Sequence, residues 1–454
     1  MLSSRLSDAH TVRDAAKVLL SWLKNAPLNG SHNLSLKINV EHPSEQEFFS
    51  PEGCQRIYFK SRDCDLEWWG LGAAESLFQS SVHDQSVLSQ VVKKSHFLDD
   101  DQIYFGGIKF DKDRVVDDEW KDFQYEIFIL PLLLMHHSAE GFTLSLNYRS
   151  DGLPYVVWRD HAESILSSII NRKGVVEHKK YTYSDYQCPG ETNYYSTIKR
   201  ALLLLGSHSD YKKVVIGRRT TRSLSMPFDP VQLFFRLKRA PHAFLFMFDS
   251  GQGSTFFGAS PELLYRRIGQ NFETESLAGT RARSLNRDID EQLRQELLES
   301  SKDKSEHFFV SNHIEDRLRE FGISDLFTSK IEIMALPFVQ HLHRRYHGRI
   351  EHGLSDDKIM TALHPTPAVC GINSLWAKQF IREHEGFDRG FFAAPIGYIG
   401  KNSAEFAVAI RSALYRASEL HIYAAGGIVP GSIPEQEWEE LNNKQKNILS
   451  IFDE

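Results

Sequence analysis

Apolar and polar residues alternate with period two along Leu34-Ser35-Leu36-Lys37-Ile38-Asn39-Val40, the pattern of a half-buried strand. Ile57-Tyr58-Phe59 and Ile103 to Phe110 read the same way, and Gly106-Gly107 within the second marks a bulge or a close backbone approach. Glu67 to Ala74 reads as a turn in a sheet with buried tryptophans. The longest apolar run, Ile127 to Met135, predicts a core strand broken at Pro131. It is far shorter than the ~20 residues of a spanning helix. Further strands are expected at Val214 to Gly217, Ala243 to Phe248, Ser254 to Ala259, Phe406 to Ser412 and Leu420 to Ala424. Helical spacing covers Ala15 to Leu23, Val156 to Asn171, Tyr194 to Leu205, Asp288 to Glu299, Ser305 to Glu320, Leu375 to Glu383 and Glu435 to Ile451. Strands dominate the middle and the helices are mostly long. The pattern therefore predicts an α+β fold, antiparallel sheets packed together with helices on the outside.

The polar stretch Lys173 to Thr192, with Pro189-Gly190 inside it, divides the chain. Residues 1–185 form an N-terminal α/β region contributing to a shared fold, and residues 190–454 form the region with the most telling motifs. A length of 454 residues allows two or three domains, and no period of repeats appears. Hydrophobic content of 41% and charged content of 25% are those of a soluble globular protein. A net charge of -7 leaves no basic surface for nucleic acid and points to the cytoplasm. Four cysteines without a C-x-x-C pair make no disulfide framework. Met1 to Lys24 carries acids and bases throughout, so it reads as an amphipathic helix and not as a secretory signal.

Four motifs follow one another in the second half: Ser260-Pro261-Glu262-Leu263-Leu264, Ser276-Leu277-Ala278-Gly279-Thr280-Arg281, Leu363-His364-Pro365-Thr366-Pro367-Ala368-Val369 and Ala425-Gly426-Gly427-Ile428-Val429-Pro430-Gly431. The last leads into Pro434-Glu435-Gln436-Glu437-Trp438-Glu439-Glu440. Singly, each is a Gly/Pro-punctuated turn beside an apolar run. In this order and spacing they resemble the chorismate-utilising enzymes, a family of isochorismate, anthranilate, aminodeoxychorismate and salicylate synthases. The resemblance covers residues 195–454 and implies the fold of the anthranilate synthase large subunit. It also implies Mg2+-dependent chemistry on chorismate, a dicarboxylate with a ring hydroxyl and an enolpyruvyl ether.

In isochorismate synthesis water attacks one ring carbon while the hydroxyl leaves another. Water needs a general base and the departing hydroxyl a general acid. The resemblance assigns the base to Lys213, just before Val214-Val215-Ile216, and the acid to Glu262. Read alone, Lys213 is a solvated lysine beside Lys212, and Ser-Pro-Glu is an ordinary helix start. A glutamate serving as acid needs a raised pKa, from an apolar wall or a neighbouring carboxylate. Metal ligands by resemblance are Glu306 and Glu440, with Glu437 a closer or water-mediated contact. Ser432 and Glu435 fit a capping box, and the i, i+3 spacing puts Glu437 and Glu440 on one helix face with Lys444 a turn further. A Glu440–Lys444 surface ion pair is the bland alternative. The resemblance places Tyr398, Arg411, Gly427 and Lys444 at substrate carboxylates, and Gly279, Thr280 and His364 at the ring and its hydroxyls. The family often reads Ala-Gly-Ala-Gly where this chain has Ala424-Ala425-Gly426-Gly427.

Two residues separate the branches. Lys213 stands where ammonia-using enzymes have glutamine, and Ala278 stands where aminodeoxychorismate synthases have a nucleophilic lysine. No amidotransferase partner is therefore expected. Phe387 to Tyr398 and Glu67 to Ala74 resemble the menaquinone-pathway isochorismate synthases. Salicylate synthase and a siderophore-pathway isochorismate synthase are the alternatives within the family, and a non-enzymatic binding module is the alternative outside it. His341, His343 and His347 offer a rival zinc reading, but no cysteine or carboxylate completes a set at familiar spacing.

Overall fold

A computed structural model describes residues 2–25, 33–79, 86–172, 182–207, 210–237, 242–351 and 353–452. Among these, 21 strands join in one continuous hydrogen-bonded network, and eleven α-helices accompany it. The pairings are antiparallel, except that Leu2–Arg5 and Ala9–Thr11 lie parallel to Leu34–His42. The α+β expectation holds.

Alternation explains how so much sheet is buried. Along Arg56–Lys60, Ile57 and Phe59 pack into one apolar cluster, while Tyr58 between them packs into the other. Trp68 and Trp69 on Glu67–Gln79 divide in the same way. Successive side chains point to opposite faces of a strand, so both faces of these strands are buried, each in its own apolar cluster. Glu67 to Ala74 is thus strand and not a turn. Glu126–Ser138 also runs unbroken through Pro131. The partner strand absorbs the missing N–H: its register shifts between Ala73 and Glu75, opposite Pro131.

Strands from before and after the polar stretch interleave. Arg56–Lys60 pairs with Phe244–Asp249, and Ile103–Ile108 with Pro395–Gly400. Val214–Leu224 lies between Tyr183–Cys188 and Glu419–Ile428. Of the stretch itself, residues 173–181 lie outside the described residues. The cysteines are free, and no described helix is long and apolar enough to cross a membrane.

Candidate active site

Lys213 immediately precedes the strand Val214–Leu224, whose Val215 faces Gly427 on Glu419–Ile428. The Lys213 side chain is fully buried, whereas Lys212 is exposed. Its carbonyl accepts the Ile372 N–H at 2.9 Å, which holds the backbone at the strand mouth. Lys213 Nζ lies 3.0 Å from Glu306 Oε1, without the alignment of a hydrogen bond. Gly427 makes this approach possible: a Cβ there would run into Glu306 Oε1 and come 2.8 Å from Lys213 Cε.

Glu262 occupies the turn between Ser254–Ser260 and Leu263–Ile268, so Ser-Pro-Glu starts no helix here. Ser260 Oγ accepts the Glu262 N–H at 3.2 Å, and the Val408 N–H donates to the Glu262 carbonyl at 3.0 Å. The side chain is buried. Burial first, and the charge of Glu275 second, push its carboxyl up to about 8, against the opposing pull of Lys213, Lys444 and Arg62. A carboxyl group in that state carries a proton at neutral pH.

Glu262, Gly279, Thr280 and Glu306 line one cavity together with Arg411, Gly427 and Lys444. It encloses about 600 Å³, the solvent at its mouth included. Arg411 enters it through an unusual backbone: φ is 53°, in the left-handed region, between the strands Ser403–Val408 and Ser412–Arg416. The single strand expected over Phe406 to Ser412 is broken there, and the turn sends the guanidinium inward. Such a conformation costs free energy in a non-glycine residue and concentrates at functional sites. Arg411 Nη1 donates to the Lys444 carbonyl at 3.2 Å, and Nη2 lies 3.2 Å from His341 Nε2. Burial lowers the Arg411 pKa to about 10, which leaves it charged at neutral pH and able to take a carboxylate.

His341 belongs to the cavity although the motifs did not point to it. Its Nδ1 lies 3.2 Å from both the Gly279 carbonyl and Thr280 Oγ1. Burial, then Arg411 and Lys444, push its pKa down to about 3, so the ring is neutral. His343 instead meets Glu275, and His347 meets Glu273. The three histidines do not converge on a metal-ligating group, so the zinc reading is not supported.

The acidic helix Pro434–Leu449 starts with Pro434 after Ile433 and has no side-chain cap. The capping box expected from Ser432 and Glu435 does not form, because Ser432 Oγ accepts the Val429 N–H instead. Glu437 and Glu440 do share a face. Lys444 Nζ lies 2.7 Å from Glu440 Oε1 and donates to the Ala425 carbonyl at 2.8 Å. Lys302, four residues before Glu306 on Ser301–Glu320, lies 2.7 Å from Glu437 Oε1. Burial opposes the charge on Lys302, but Glu437, Glu440 and Glu306 outweigh it and raise its pKa. Burial and the neighbouring Glu440 charge push Glu437 up. For Glu440, burial also pushes upward but Lys444 and Lys302 prevail, and the net shift is down. Glu306, Glu437 and Glu440 thus gather around one ammonium group, although their ligand atoms do not all come within 4.8 Å of one another.

Two expected substrate contacts lie elsewhere. Tyr398 is buried among Phe59 and Trp68, with ring centroids 5.6 Å from each, and is absent from the cavity wall. His364 packs against the Phe110 ring, with both ring nitrogens buried and unpartnered. Ala368 and Val369, further along the same motif, reach the cavity instead. Ala278 also lines it.

Residues 23–453 match the family described as chorismate binding enzyme. The chain belongs to that family. Isochorismate synthase from Catharanthus roseus chloroplasts is 32% identical over 77% of this chain, which spans 62% of that relative's length. Isochorismate synthase MenF of Pasteurella multocida is 28% identical, with 87% of each protein covered. The solved structure of MenF, the menaquinone-specific isochorismate synthase from Escherichia coli, superposes with a TM-score of 0.82 at 24% identity. It covers 96% of this chain and 99% of that one, and it establishes the shared fold.

Proposed function

We propose that the protein is an isochorismate synthase that converts chorismate to isochorismate in the cytoplasm, on the route to menaquinone and without an amidotransferase subunit. The observation carrying this reading is that buried Glu262 shares one cavity with Glu306, Arg411 and Lys444, while buried Lys213 lies behind its wall with Nζ 3.0 Å from Glu306. Similarity to isochorismate synthase MenF over 87% of each protein, and the fold shared with the menaquinone-specific MenF, support the menaquinone assignment. Arg411 and Lys444 pair with substrate carboxylate, and neutral His341 offers its ring to the hydroxyls beside Thr280. Lys213 takes a proton from the attacking water. Glu262 gives its proton to the departing ring hydroxyl, which leaves as water, so the substrate's net composition is unchanged. Ala278 has no nucleophile to form an adduct.

The hard oxygen donors Glu306, Glu437 and Glu440 suit Mg2+, which keeps several waters and accepts few carboxylates. Lys302 and Lys444 already show that the cluster attracts positive charge. When bound, Mg2+ would neutralise substrate carboxylate and fix the ring. Glu440→Gln is expected to weaken Mg2+ binding by at least about 10-fold in calorimetry with the metal alone, no less than the loss from mutating a group that only hydrogen-bonds to a ligand. Unchanged Mg2+ affinity in that variant would remove Glu440 from the metal site. Incubating the purified protein with chorismate and Mg2+, then identifying the product by chromatography, tests the activity. Isochorismate is expected; salicylate with pyruvate, or no turnover, would overturn the reading.

A further inference from the structure

We propose that Glu275, clamped by Arg62 and His343, is the positioning residue for Glu262. The inference rests on the acid role given to Glu262 above. Glu275 sits on Asn271–Ala282 and is almost fully buried. Its Oε1 accepts the Leu263 N–H at 2.7 Å and Arg62 Nη1 at 2.8 Å. Its Oε2 accepts Arg62 Nη2 at 2.9 Å and lies 2.8 Å from His343 Nε2. The same Arg62 Nη1 donates to the Pro261 carbonyl. One Arg–Glu pair therefore ties down the backbone on both sides of Glu262, at Pro261 and at Leu263. The N–H and carbonyl of Glu262 itself are held by Ser260 and Val408.

A buried ion pair is weak evidence for stability, because removing two charges from water costs about what their attraction returns. This pair grips the two residues flanking the acid, and a catalytic group must be held within about 0.5 Å of its working geometry. Charge adds to position. Burial pushes the Glu275 carboxyl up, but Arg62 and His343 outweigh it and hold the group at about 2, so it remains an anion. That anion faces Glu262 together with Lys213, Lys444 and Arg62, while Glu306, Arg411 and His341 share the cavity wall. Two carboxyl groups are thereby driven apart, one charged and one protonated, the separation that an acid beside an anion requires.

The test compares pH–rate profiles of the full-length protein with chorismate. Glu275→Gln keeps an oxygen for the Leu263 N–H but removes the negative charge. Its turnover at neutral pH is expected to fall at least 10-fold, and the alkaline limb to move down by about one pH unit, with KM changed less than 3-fold. Arg62→Leu removes the positive charge instead, and its limb is expected to move up. Opposite shifts are the signature; a purely structural role would lower the rate evenly at every pH. Folded Glu275→Gln with the wild-type limb and rate would overturn the proposal. If that variant does not fold, a limb in Arg62→Leu that stays or moves down overturns it equally. Absence of isochorismate from the wild-type protein would overturn the function itself, whereas wild-type turnover with unmoved limbs would overturn the positioning alone.

Discussion

Glu262→Gln is expected to lose about 10²–10⁴-fold in turnover, the usual worth of a positioned general acid. Glutamine matches the glutamate in size, so the turn between Ser254–Ser260 and Leu263–Ile268 is retained, held by Ser260, Val408, Glu275 and Arg62. Chorismate binding is expected to stay near wild type, because Arg411 and Lys444 are untouched. The carboxyl is raised to about 8, so the wild-type enzyme holds the transferable proton below that pH and loses it above. Its turnover should therefore decline through an alkaline limb near pH 8, and the residual activity of Glu262→Gln should lack that limb. Steady-state rates from pH 6 to pH 10 check both points. Near-normal turnover in the variant would remove Glu262 from the mechanism.

The same residues show what a sequence discloses and what it withholds. Motif order placed Glu262, Gly279, Thr280, Glu306, Arg411, Gly427 and Lys444, and all seven meet at one cavity. Glu306 and Lys444 stand on helices, and the others stand in or beside strands and turns where the backbone itself must fit, as Gly427 must against Lys213 and Glu306. Tyr398 and His364 fail for a different reason. Each stands in a segment that supports the site, but its direction depends on tertiary packing. Tyr398 pairs with Glu405 in the ladder and turns toward Phe59 and Trp68. His364 points into the apolar wall at Phe110, while its motif touches the cavity through Ala368 and Val369.

His341 was visible only as part of a rejected zinc set and was missed as a cavity residue. Alternation along Val339–Arg349 puts residues 339, 341 and 343 on one face, and antiparallel pairing sets His341 against Thr280. That pairing needs a partner strand 61 residues away in sequence, which local spacing does not reveal. Lys302 left a local sign, since it stands one helical turn before Glu306 and both face the acidic cluster. Pro131 teaches the converse. A breaker by local rules lies inside a 13-residue strand because the bulge that accommodates it belongs to the neighbouring strand.

Lys213→Ala is expected to cut turnover by about 10²-fold or more, since water attack then lacks its proton acceptor. The neighbouring lysine supplies the control. Lys212 is exposed at the mouth of the strand, so Lys212→Ala should change the rate less than about 2-fold, as solvated surface residues usually behave. Lys213 has no exposed surface, and its Nζ lies beside Glu306, beneath the only kind of residue that lets it pass, a glycine at 427. Its removal also leaves Glu306 without that neighbour, so metal affinity is a second readout. Mg2+ should bind Lys213→Ala at least as tightly as wild type, because the side chain that crowds Glu306 is gone. A fall in turnover with retained or improved Mg2+ binding separates loss of the base from collapse of the site. Lys213→Arg sharpens the point: a guanidinium near Glu306 remains protonated at working pH and cannot take a proton, so it should not recover the rate. Full activity in Lys213→Ala, or an essential Lys212, would place the base elsewhere.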